Sequence, residues 1–111
     1  MKTLVALLLL LSPFALTEID TREGYVMPYE CRNRSEGTAE DHTTECALEE
    51  KCAASGYGLW VEGDFKKFDP AGHQMALEYF KSTARTHNHK VQVSGDFGGE
   101  MIVVEKIEPV D

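Results

Sequence analysis

Several chemistries are missing from these 111 residues before any fold is considered. The chain has no Cys-x-x-Cys for thiol-disulfide exchange, no glycine-rich phosphate loop, no serine in a nucleophile elbow and no zincin helix. Positive charge is also scarce. The 11 Lys and Arg stand against 19 Asp and Glu, a formal net charge of -8, and phosphate binding rests on cationic side chains that release counterions. Nucleic acid and anionic lipid are therefore not expected partners. Cationic small molecules, metal ions and basic proteins stay open.

Long apolar runs are missing too, except at the front. Met1 to Thr17 has the build of a secretory signal: Lys2 supplies the positive n-region, and Leu4 to Leu11 with Phe14, Ala15 and Leu16 supply an apolar core too short to span a bilayer. Cleavage is expected after Ala15 or Thr17. Acidic Glu18 and Asp20 follow where a stop-transfer helix would need apolar length, and no cysteine near the cleavage site points to a lipoprotein. The expected mature chain, residues 18–111, is a single domain of about 94 residues, secreted or periplasmic, off the membrane, with a net charge of -9 once Lys2 is removed.

A domain of that size buries about 60 to 65% of the surface its unfolded chain exposes, so a covalent staple would help. Three cysteines in an exported chain make one an expectation.

Along the chain, Glu18 to Arg22 reads as a loose lead-in and Gly24 to Met27 as a first strand that Pro28 ends or pushes to an edge. Arg32 to Asp41 is a polar loop containing Asn33-Arg34-Ser35, a glycosylation acceptor in a eukaryotic setting. A helix starts at Thr43 or Thr44 and stops at Gly56, with Leu48, Cys52 and Ser55 on one face and Cys46 about 120° from Cys52. Tyr57 to Glu62 and Phe65 to Phe68 form a hairpin around Gly63-Asp64. After an Asp69 to Gly72 turn, a second helix from His73 to Ala84 presents Ala76, Leu77, Phe80 and Ala84 to a sheet. Thr86 to His89 reads as a linker, and Lys90 to Ser94 and Met101 to Ile107 as the last strands.

That order, β-α-β-β-α-β-β, predicts a mostly β, α+β domain built as a five-stranded OB-like antiparallel barrel. An open antiparallel sheet with both helices on one face competes with it.

The run CALEEKC, then SGYGLWVEGDFKKFD, then a helix and VQVSGDFGGEMIVVEKI, resembles a family of small exported bacterial proteins. Its pattern is a first-strand cysteine, a helical cysteine pair, SGYG, a GKF-KFD-like hairpin and a final VTG-DG-D-I-V hairpin. The resemblance covers roughly Gly24 to Ile107. The family has no assigned activity, so it implies export, a compact mostly β domain and a cysteine cluster, and no reaction. The chain departs from the pattern in its longer, acidic first loop and in His87-Asn88-His89.

Four soft or borderline donors, Cys31, His42, Cys46 and Cys52, meet the ligand count of a closed zinc or copper(I) site. Their spacing argues against one, because Cys-x5-Cys on a helix puts the thiols on different faces. No other cofactor is indicated. His87 and His89 would share a strand face only if the strand began early; otherwise they are loop histidines. Glu49-Glu50 and Glu40-Asp41 read as solvated surface. Among Tyr57, Trp60, Phe65 and Phe68, core packing takes most, and Trp60, opposite in phase to Leu59 and Val61, is the aromatic expected to face a ligand.

In an unbroken helix Cys46 and Cys52 would have Cα atoms about 9 Å apart, beyond the limit of about 7 Å for a disulfide. A Cys31–Cys52 bridge is therefore expected, with Cys31–Cys46 the rival, leaving Cys46 as a route to dimers. Closing that loop would be worth roughly 3 kcal/mol. The functional expectation is a non-enzymatic exported domain that binds a small ligand or an envelope protein. Its alternative is a metal-binding protein using the Cys/His cluster.

Overall fold

The computed structural model describes residues 19–31 and 39–110. The expected signal segment, the Asn33 triplet and the side chain of Cys31 lie outside the described residues. The elements are β1 (Asp20–Pro28), a 3-10 turn (Tyr29–Cys31), a second 3-10 turn (Ala39–Asp41), α1 (Thr44–Ala47), α2 (Glu50–Ala54), β2 (Tyr57–Val61), β3 (Asp64–Lys67), α3 (Pro70–Ser82), β4 (Lys90–Asp96) and β5 (Val103–Pro109). The strands form one antiparallel sheet in the order β3-β2-β1-β4-β5. Beyond its two outermost strands, Phe68 and Ile102 form an isolated parallel bridge. It carries the bonds Ile102 N–H to the Lys67 carbonyl, 2.8 Å, and Asp69 N–H to the Ile102 carbonyl, 2.9 Å.

The inner face follows the period of two. Tyr57 and Leu59 on β2, Val91 and Val93 on β4, and Val26 on β1 are all at most 1% exposed. β1 begins at Asp20 rather than Gly24, because Asp20 to Glu23 pair with β4 while their side chains stay exposed. Backbone pairing leaves no hydrophobic signature. Pro28 does end β1, but the strand is central in the sheet and not an edge.

The hairpin turn is Glu62-Gly63, not Gly63-Asp64, since Val61 pairs with Asp64. Both turn residues have positive φ, 47° at Glu62 and 93° at Gly63. That is the geometry whose twist matches the flanking strands, with glycine in the second place.

α3 starts three residues earlier than the apolar periodicity alone implies. Asp69 is its N-cap and accepts from the Gly72 N–H at 3.0 Å, and Pro70 takes the first turn, where a missing N–H costs nothing. The same Asp69 oxygen accepts from Val104 N–H at 3.2 Å, which ties the helix start to β5. Gly72, Ala76 and Phe80 form the buried stripe, and Leu77 is half-buried against it. A Cβ on Gly72 would collide with the side chains of Val104 and Phe68, so glycine is what lets α3 sit this close to β5. Helix and strand bounds shift likewise at the end: α3 stops at Ser82, where Thr83 turns extended and leaves Ala84 exposed beyond the helix, β4 extends to Asp96 and β5 starts at Val103.

The largest departure is the cysteine helix, which is two helices. A bend at Leu48-Glu49 separates α1 from α2, with Glu49 extended at ψ 139°. No glycine or proline marks the bend. Its cause is tertiary: the Ala47 carbonyl, which a continuous helix would offer to an N–H four residues on, accepts instead from the buried Tyr57 hydroxyl at 2.9 Å.

Phe80 is 1% exposed and packs on Tyr57, Tyr79 and His89 with ring centroids 5.0 to 5.2 Å away. Phe80→Ala is expected to cost about 3 to 5 kcal/mol, and thermal unfolding followed by circular dichroism should report a loss of most native stability. A melting temperature that does not move would mean α3 contributes little to the core.

Candidate functional site

Among the described residues, three places gather chemistry-bearing side chains. The first is created by the α1–α2 bend. Thr43 caps α1 by accepting from Cys46 N–H at 3.1 Å, and the Tyr57 bond fixes its other end. Across the bend the Cys46 and Cys52 sulfurs and a Glu49 carboxylate oxygen all lie within 4.8 Å of one another. Cys52 is 1% exposed, Cys46 half-buried and Glu49 exposed. The expectation that the two thiols occupy different faces of one helix is corrected here, since the bend rephases α2 against α1. Among the described residues no disulfide joins the two.

The expected four-donor set is brought together only in part. His42 is not a member of the group. It precedes the α1 cap, both its ring nitrogens are buried, and it lies close enough to His89 to disfavour a charge there. The Cys31 side chain lies outside the described residues. The backbone of its turn, however, packs on α2 through Tyr29 N–H to the Gly56 carbonyl, 2.8 Å, and Glu30 N–H to Ser55 Oγ, 3.1 Å. Glu49, dismissed in sequence as surface, is the donor that was missed. Its signal was the spacing Cys46-x2-Glu49-x2-Cys52.

The second place is the outer face of the sheet. Trp60 pairs with Tyr25 on one side and Phe65 on the other, and Tyr25 pairs with Lys90. Directly opposed residues share a face, so Lys90, Tyr25, Trp60 and Phe65 form a row across four strands. All four are half-buried, whereas Tyr57 and Phe68 are in the core. A cleft of about 560 Å³ runs beside the row, lined by Glu23, Tyr25, Glu40, Trp60, Glu62 and Lys90. Lys90 is engaged with Glu23 at 3.6 Å.

The third is His89, which is 1% exposed and not a linker residue. Its Nε2 is 2.8 Å from Thr44 Oγ1 and its Nδ1 is 2.8 Å from the Tyr79 hydroxyl. Thr44 already donates to the Arg85 carbonyl at 2.6 Å, so it accepts from Nε2–H, and Tyr79 donates to Nδ1. The chain is complete with a neutral imidazole. Burial, then the nearby His42, Arg85 and His87, lower the His89 pKa to about 4. His73, stacked on Tyr57 with centroids 4.9 Å apart, is also lowered, by burial and by Lys67.

An unfolded imidazole titrates near 6.5, so between that pH and about 4 the unfolded chain binds a proton that folded His89 refuses. The stability from neutral burial is therefore full above pH 6.5 and falls as the pH drops toward 4, by about 3 kcal/mol in all. His73 adds with the same sign. In an NMR titration the His89 ring resonances should stay those of the Nε2–H tautomer down to about pH 5, well above the folded pKa of about 4. A midpoint near 6.5 would contradict the hydrogen-bond chain.

Comparison of the chain with protein-family models, with curated proteins and with solved structures found no match.

Proposed function

We propose that this is an exported, non-enzymatic binding domain that holds a small cationic ligand against the aromatic row of its sheet. The observation that carries the reading is the register placing Tyr25, Trp60 and Phe65 side by side on the outer face, beside a cleft whose wall includes Glu40 and Glu62. Aromatic faces attract cations, and carboxylates at the rim add to that attraction. The overall charge of -8 favours the same class of ligand and disfavours phosphate-bearing ones. The sheet is read as an OB-like barrel closed between its outer strands. The parallel Phe68–Ile102 bridge supports closure, as does Lys66 Nζ donating to the Phe97 carbonyl at 2.5 Å. Export rests on the signal-like first 17 residues and on the family resemblance of the hairpin and cysteine motifs.

Trp60 is the only tryptophan, so its emission reports the row alone. Caesium should quench it more strongly than iodide, because the carboxylates repel the anion. Choline or an arginine ester should change the emission saturably. The response should weaken with salt and be absent in Phe65→Ala with Tyr25→Ala, where the reporter is kept. Equal quenching by both ions, with no saturable response to either cation in the folded protein, would overturn the reading.

A further inference from the structure

We propose that Cys46, Glu49 and Cys52 form a binding site for a zinc-class divalent cation, independent of the aromatic row. Their donor atoms already lie within 4.8 Å of one another without an ion. Around zinc, with bonds of about 2.3 Å to sulfur and about 2.0 to 2.2 Å to oxygen, tetrahedral donors stand about 3.5 to 3.8 Å apart. Closing the group therefore takes a contraction of at most about 1.3 Å. The two backbone segments are fixed independently of the ion, α1 by the Thr43 cap and by Tyr57 on the Ala47 carbonyl, α2 by its packing on the Tyr29–Cys31 turn.

The donor set selects the ion. Two thiolates favour soft and borderline metals, and a carboxylate oxygen is a hard donor that suits zinc(II) or cobalt(II) better than copper(I), and leaves magnesium and calcium unsuited to the sulfurs. Binding is a proton exchange: each thiol loses its proton as its sulfur ligates, and the carboxylate ligates as it is. The grading from buried Cys52 to exposed Glu49 lets an ion enter from the Glu49 side. Three protein donors leave a fourth position for water or an external donor, as in open rather than closed zinc sites.

The test uses the full chain purified from the compartment to which it is delivered, folded by circular dichroism, and titrated with cobalt(II) after thiol reduction. One equivalent should bind with thiolate-to-cobalt charge-transfer absorption, release protons, and be displaced by zinc(II). Cys46→Ser should lose the charge-transfer intensity of one sulfur. Glu49→Gln, at an exposed position whose side chain makes no capping hydrogen bond, should weaken binding about tenfold or more, the scale at which even supporting residues of metal sites count. Three results would overturn the proposal: no stoichiometric cobalt or zinc on the folded, reduced chain; unaltered binding in both variants; or a Cys31–Cys52 or Cys31–Cys46 disulfide in the unreduced protein.

Discussion

A single neutral imidazole holds the helical excursion of this domain to its sheet. His89 sits where β4 begins, its carbonyl accepts from Val26 N–H on β1 at 3.1 Å, and its ring joins Thr44 of α1 to Tyr79 of α3. α1 is four residues long. A helix that short has no stability of its own, because nucleation costs more than one turn returns. It exists because Thr43 caps it, Thr44 N–H donates to the Thr86 carbonyl at 2.9 Å, and the Thr44 hydroxyl closes the His89 chain. A charge on His89 would need a second acceptor where Tyr79 now donates. The Cys46 position, two residues past Thr44, therefore depends on the His89 ring through the turn that Thr44 opens.

The second anchor is Tyr57, whose hydroxyl takes the Ala47 carbonyl out of the helical ladder while its ring stays fully buried between His73 and Phe80. Removing that hydroxyl would strand a buried carbonyl, at a cost of about 1 to 3 kcal/mol. The bend at Leu48-Glu49 is thus the low-energy way to satisfy a helix end inside the core.

Where burial dictates the pattern, the residues announce it. Val91 and Val93 alternate, Ala76 and Phe80 recur at four, and Tyr57 and Leu59 point inward. The sheet and α3 were legible for that reason, as was the partial exposure of Trp60. Position set by partners distant in sequence was not legible. Asp20 to Glu23 carry no apolar residue and yet are strand, because β4 supplies their hydrogen bonds. His89 sits in a polar Thr-His-Asn-His run that looks like a loop, and its burial is decided by Thr44 and Tyr79. The turn register slipped by one because glycine can open or close a two-residue turn, and only the pairing of Val61 with Asp64 distinguishes the two.

The thiol-carboxylate group follows the same logic in the opposite direction. On a straight helix each step of three keeps Glu49 beside a cysteine, but Cys46 and Cys52, six residues apart, would stand about 120° and about 9 Å from one another, so the three donors could not close on one ion. They converge here only because Tyr57 breaks the ladder between them. An ion bound across the bend would favour the bent state over both the straight helix and the unfolded chain. Its binding free energy would add to folding by mass action. At an ion concentration about 100 times its Kd that contribution is about 2.7 kcal/mol, comparable to the roughly 3 kcal/mol expected of a disulfide at the same place. Staple and metal site are therefore competing uses of the same sulfur, and the bend that Tyr57 enforces is what makes the second use geometrically available.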